Sequence, residues 1–265
     1  MEQEGIIRLF IFFGLFFVFT VIEYVFPRRI ASKNKKRRWI TNWSVSVFNV
    51  LTLRLFSLAL PLLAIGAAFD AEKLGIGLFN QLGFPSWVEL MMVILIFDFC
   101  IWLQHLLTHK IEFLWRIHRV HHSDTEMDVS TAIRFHPIEI ALSMALKIGL
   151  VYALGADPLS VLIFEILLNG SSIFNHANIN IPNRIDKIMR FLIVTPDMHR
   201  IHHSNERIEH DTNFGFALSI WDHIFQTYKS HAERDHKEMK VGLDWQDEKP
   251  QELGWSLGLP FKKNG

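Results

Sequence analysis

The sequence predicts an all-α integral membrane protein of about four to five membrane helices, capped by a helical layer on the cytoplasmic side. Three observations predict it. Half of the 265 residues are hydrophobic, 23 are Phe, and the apolar residues gather into long runs, more than an ordinary soluble domain carries. Seven basic residues and no acidic one stand between Arg28 and Arg38, the charge bias of a cytoplasmic flank. Eight histidines fall into three sets with helical spacing: His105 and His109; His118, His121 and His122; His199, His202 and His203.

The first apolar run, Ile6–Phe26, follows an acidic start, is longer than a signal-peptide core and runs into a basic cluster instead of a small-residue cleavage site. It reads as a retained transmembrane helix. Four more apolar segments follow: Trp43–Phe69, Trp87–Leu107, Ile138–Leu154 and Leu159–Phe174. The last two are short for full spans, and Gly155-Ala-Asp-Pro158 between them is a turn signal. They read as a hairpin that spans with tight ends or dips into the bilayer. With Arg28–Arg38 inside, the third segment delivers His105 and His109 to the cytoplasmic side, and the hairpin returns His176 to the same face.

Ionisable residues inside the apolar segments are Arg54, Asp98, Lys147 and Glu165. Such residues are costly in a bilayer and face partners or cavities. Lys147 and Glu165 stand at similar depth on the hairpin arms, and a pair is predicted. The chain divides into N-terminal membrane helices (1–86), a catalytic-type domain (87–230) and a polar tail (231–265) read as a solvated cytoplasmic extension. A single cysteine, Cys100, excludes an intramolecular disulfide and any Cys-rich zinc or iron–sulfur site. Formal net charge is zero, and the expected partners are lipid and membrane, with no nucleic acid.

Residues at i, i+3 and i+4 share one helix face, so each histidine set aims its imidazoles in one direction. Imidazole is the commonest protein ligand for transition metals. Three such faces supply more ligands than one metal takes, so a two-metal site is predicted. An all-nitrogen donor set suits Zn, Fe, Cu or Ni. The one Glu-x-x-His, Glu233 to His236, lies in the tail without a counterpart, which excludes the soluble di-iron bundle arrangement. Carboxylates are expected to orient imidazole N–H groups instead. Asp98, two helical turns before His105, is one candidate; Asp197, Asp211 and Asp222 are others.

The same residues carry a resemblance to the fatty acid hydroxylase/sterol desaturase superfamily of membrane-bound His-rich di-iron oxygenases. It spans about Asp98 to Tyr228. The stretch from Asp98 through Trp102, His105, His109 and Leu114-Trp115 to His118-Arg-Val-His121-His122-Ser123 is similar to the family's first two boxes. Arg134-Phe-His-Pro137, His176-Ala-Asn178 with Pro182, and Thr195-Pro-Asp-Met-His-Arg-Ile-His-His-Ser204 resemble its later elements. So do Asn213-Phe-Gly215 and the run from Trp221-Asp222 to Tyr228. Leu106 replaces a common Arg, Trp102 a common Tyr, and Ser172 a further histidine found in some lipid 2-hydroxylases. The resemblance implies nine metal ligands, His105, His109, His118, His121, His122, His176, His199, His202 and His203. Asp98, His136, Asp197 and Asp222 are implied as orienting or substrate-lining residues.

It also implies two iron ions, O2 as co-substrate and hydroxylation of a lipid C–H bond, fatty acyl or sterol-like. Desaturation or sterol methyl oxidation is the alternative within the superfamily, and membrane metal binding or transport the alternative outside it. The chain holds no Gly-x-Gly-x-x-Gly nucleotide motif and no cysteine set, so a separate ferredoxin- or cytochrome-type electron donor is expected. Its expected docking surface is Lys110, Arg116, Arg119, Arg184, Lys187 and Arg190. A bacterial inner membrane is the expected location.

Overall fold

A computed structural model of the chain describes residues 2–30, 34–59, 63–245 and 249–263. Thirteen α-helices carry the described residues: α1 (Glu2–Val25), α2 (Lys35–Ala59), α3 (Ala64–Leu74), α4 (Leu78–Leu82), α5 (Ser86–Lys110), α6 (Glu112–His122), α7 (Pro137–Leu154), α8 (Pro158–His176), α9 (Asn183–Met189), α10 (Pro196–His202), α11 (Arg207–His210), α12 (Ile220–Ile224) and α13 (Leu253–Gly258). Among the described residues strand pairing is limited to isolated bridges such as Pro27 with Ile179. The protein is an all-α integral membrane protein.

Among the described residues four helices are long and apolar enough to cross a membrane: Gly5–Val25 of α1, α5, α7 and α8. Both arms of the expected hairpin are thus of spanning length. α1 turns a largely apolar face outward, with Phe10 and Phe17 exposed, as lipid contact requires, and its other side lies along α8.

The second predicted span is corrected by the structure. Trp43–Phe69 is not one helix: α2 ends at Ala59 and α3 starts at Ala64. The apolar run is continuous in composition, but Pro61 lacks the N–H a helix interior needs and restricts the residue before it; residues 60–62 lie outside the described part. α3 then packs on α7 and α8 through Ala64, Ala67, Ala68 and Ala71, all buried. Around it lies a core of Phe79, Val93, Phe97, Ile101, Met144, Val151, Val161 and Phe164.

The turn joining α7 to α8 closes the end of the bundle far from His176. Gly155 adopts φ +66°, and a Cβ there would lie 2.6 Å from Ile76 O. Positive φ and close approach both demand glycine. Asp157 caps α8, accepting from Leu159 N and Ser160 N.

At the histidine end the polar N-terminal part of α2 grips the loop after α6. Arg38 donates to Asp124 at 2.6 and 2.9 Å and to Asp128 at 3.0 Å. Asn42 donates to Asp124 and Ser130 and accepts from Arg134, which also donates to Val120 O at 2.9 Å. Burial works against the charged form of Asp124, but Arg38 and Arg134 outweigh it and hold its carboxyl at about 2.

The segment after His231 also differs from expectation. Met239 and Leu259 are fully buried, and Leu243 and Leu259 join Val120, Trp115 and Trp255 in a small core on α6. Its apolar residues follow neither helix nor strand periodicity, which is why it reads as solvated. It packs because buried arginines need acceptors: Arg134 donates to Pro250 O and Ser256 Oγ, and Arg119 to Leu259 O and Lys262 O.

Candidate metal centre

Four elements bring the histidines together. α5 carries His105 and His109 on its last two turns, the chain reverses at Ile111, and α6 presents His118, His121 and His122. His176 ends α8. α10 starts on Pro196 behind a Thr195 cap and presents His199 and His202, with His203 just beyond its end.

All nine side chains are buried and form two groups. One nitrogen from each of His105, His109, His118, His122 and His202 falls within 4.8 Å of the others, and likewise for His121, His176, His199 and His203. In the second group Nε2 of His176 lies 3.0 Å from that of His121, 3.1 Å from that of His199 and 3.2 Å from that of His203. The groups adjoin: the His122 and His203 rings stack at 4.5 Å.

The opposite ring nitrogens explain the aim. Nδ1 of His105 donates to Phe214 O at 2.8 Å, Nδ1 of His202 to Thr212 O at 2.8 Å and Nδ1 of His176 to Ser172 O at 2.7 Å. Nδ1 of His118 lies 2.7 Å from Glu139 Oε1, and Nδ1 of His109 3.6 Å from Asp211 Oδ1. A hydrogen bond at Nδ1 leaves a lone pair at Nε2. Nε2 of His105, His109, His118, His122 and His202 is buried without a hydrogen-bond partner among the described residues. Burial, then repulsion from neighbouring imidazoles, pushes His121, His122, His199, His202 and His203 well below the ordinary histidine range, so they are neutral. Buried neutral lone pairs in two convergent sets fit a pair of transition-metal ions, and five orphaned acceptors without one are costly, about 1–3 kcal/mol each.

Orientation comes mainly from backbone carbonyls, where sequence reasoning expected aspartates. Asp98 accepts from Ala217 N, Leu218 N and Trp221 Nε1. Asp222 accepts from Phe214 N, Gly215 N, Trp102 Nε1 and Thr227 Oγ1. Both therefore fasten the loop 212–218 that supplies Phe214 O and Thr212 O to the histidines, acting at one remove. Asn213 sits at φ +55°, held by Met198 O and Lys229 O. A Cβ on Gly215 would lie 2.8 Å from Asp222 Oδ2, which gives Asn213-Phe-Gly215 its physical reason. Asp197 pairs with Arg28 and Arg200. His136 caps α7, accepting from Ile138 N while its Nε2 meets Leu257 O; it stands outside both groups.

Glu139 is the orienting carboxylate that sequence reasoning missed. Its one signal was its place two residues beyond the Arg134-Phe-His-Pro137 element; α6 and α7 must pack before it meets His118. A cavity of about 280 Å³ opens from His105, His118, His121 and His199, passes apolar walls that include Ile133, Met144 and Phe216, and ends at Arg8 and Lys147. Lys147 donates to Glu165 at 3.0 Å, as the sequence predicts.

Fold and site together define a membrane protein of helical type with a buried, all-histidine candidate dimetal centre. Comparison with known proteins narrows the class. The fatty acid hydroxylase family profile matches residues 90–227, and the chain belongs to that family. It is similar to the ornithine lipid hydroxylase of Rhizobium tropici, 32% identical over 54% of this chain and 43% of that protein. It is also similar to two Homo sapiens proteins, alkylglycerol monooxygenase (28% identical, 52% of this chain, 30% of that protein) and cholesterol 25-hydroxylase (26%, 54% and 52%). The chain thus spans about half or less of the length of these relatives. No solved structure matches it.

Proposed function

We propose that the protein is an O2-dependent di-iron oxidoreductase that hydroxylates a C–H bond of a lipid, with the nine histidines holding the two irons. The observation that carries this reading is the convergence of buried, neutral imidazole nitrogens into two adjoining groups at the mouth of an apolar cavity. The relatives are named as hydroxylases and monooxygenases of lipids. In balance, one oxygen atom of O2 enters the C–H bond and the other leaves as water, with two electrons and two protons from an external donor.

Bound iron supplies the O2 reduction and C–H oxidation that imidazole cannot. The chain supplies the rest. Glu139 and the carbonyls of Phe214, Thr212 and Ser172 hold the rings in one tautomer. The apolar wall excludes water and seats a hydrocarbon chain beside the histidines. Arg28 and Arg38 of the basic stretch lie at the histidine end, where Arg28 pairs with Asp197 and Arg38 clamps Asp124; under the positive-inside rule this supports a centre on the cytoplasmic side, and a bacterial inner membrane fits this orientation.

A separate ferredoxin- or cytochrome-type donor would dock on that face. Two residues expected there have other work: Arg119 is buried and donates to Leu259 O and Lys262 O, and Arg190 is buried between Asp186, Thr195 and Ser230 O. Lys110, Arg184 and Lys187 are exposed and form the docking candidates; Arg116 is half-buried and donates to Lys262 O.

The test is metal content per chain, by mass spectrometry, of protein made with iron and purified in detergent. About two irons per chain, falling in His121→Ala and His202→Ala with the protein still inserted, is the expected result. A single zinc insensitive to both substitutions overturns the reading.

A further inference from the structure

The far end of the cavity carries an unbalanced charge. Arg8 and Lys147 line it, and both reach one carboxylate behind the wall: Arg8 Nη1 lies 2.7 Å and Lys147 Nζ 3.0 Å from Glu165. The Glu165 side chain is 1% exposed and that of Lys147 11%. Two cations share one anion, so the far end of the cavity carries a net positive charge inside the helix bundle, where an uncompensated charge is costly; the one carboxylate lining the cavity among the described residues, Glu139, stands at the histidine end against His118. A long basic side chain near a helix end can relieve such a cost by reaching toward water. Arg8 does the reverse: it is two-thirds buried, it points inward at Glu165, and its Nε is buried with no hydrogen-bond partner among the described residues. Asn169 and Ser143 line the same cavity.

Glu165 and His176 lie on one helix, eleven residues apart, so the charged end stands about 16 Å along the axis from the histidines. The volume of about 280 Å³ is at the small end for ligand sites and has room for one hydrocarbon chain.

We propose that Arg8 and Lys147 are a head-group site: they take the anionic group, a carboxylate or phosphate monoester, of a single-chain amphiphile whose carbon chain runs to the histidines. The inference rests on the lipid-oxidation reading and sharpens it. The substrate is an acidic lipid held by its head, and the oxidised carbon lies remote from that head, toward the chain end. Glu165 tunes the site by neutralising one of the two cations.

The test measures binding, without turnover, to the full chain in nonionic detergent, using dodecanoate, dodecyl phosphate and methyl dodecanoate. The acid or the phosphate should bind at least tenfold tighter than the ester, and the tighter of the two identifies the head group. Arg8→Gln and Lys147→Met should each remove most of that preference. Glu165→Gln should enlarge it while lowering the melting temperature, and this arm reads the same charge with opposite sign if the cation variants do not fold. His121→Ala should keep the preference, so a failure of the iron reading leaves this result legible. Equal binding of acid and ester by the wild type overturns the proposal. So does a preference lost in His121→Ala and kept in Arg8→Gln, which would put the anion at the histidines. An equal weakening of all three ligands by Glu165→Gln would reduce the triad to a structural clamp.

Discussion

Glu139 meets His118 through a single contact, Oε1 to Nδ1 at 2.7 Å, and it is the one carboxylate at this distance from any of the nine histidines among the described residues. A carboxylate behind a ligating imidazole fixes the ring and raises its basicity, and its loss typically costs 10–100-fold in metal affinity. Glu139→Gln should therefore fold and insert, retain the cavity, and give up iron to a chelator about tenfold more readily than wild type; unchanged retention would show that α6 packing alone holds His118. Eight of the histidines, all but His176, which stands in no spaced set and entered through the family resemblance, were legible in the sequence because helical spacing is local information. Glu139 and the Arg38–Asp124 clamp were not, since they join residues 21 and 86 positions apart, and no pattern within one helix encodes such a meeting.

At the scale of elements, α1, α5, α7 and α8 were readable from apolar run length, and the α7–α8 turn from Gly155-Ala-Asp-Pro158. Hydropathy misread α2 and α3 as one span because it sums composition and is blind to Pro61. It also hid the polar face of α2, whose Arg38, Thr41 and Asn42 are buried against loop carbonyls and carboxylates instead of lipid. The turn itself carries a prediction. Gly155→Ala must accept a left-handed backbone and a Cβ 2.6 Å from Ile76 O. A cost of about 1–3 kcal/mol follows from the conformation and the overlap, seen as a lower melting temperature with iron content per folded chain unchanged, because the turn lies at the other end of the bundle from His176.

For the whole molecule, charge separates two kinds of arginine on the histidine face. Arg119, Arg134, Arg190 and Arg200 are buried and hold the cap together, whereas Arg184 and Lys187 are exposed to a partner. Reversal of Arg184 and Lys187 to Glu should slow turnover several-fold with a natural protein donor, chiefly at low ionic strength, and leave turnover with a small chemical reductant unchanged. Equal losses with both would remove the docking role. The C-terminal segment sets a different constraint, one of timing. Arg134, which ties α6 to α2, takes two of its acceptors from Pro250 and Ser256, residues the ribosome adds well after His203. Every histidine has therefore been synthesised before the cap can close over α6. During that interval α6 carries its histidines while the partners of Val120, Arg119 and Arg134 are still to be made, so the cap is the last part of the histidine end to be fastened.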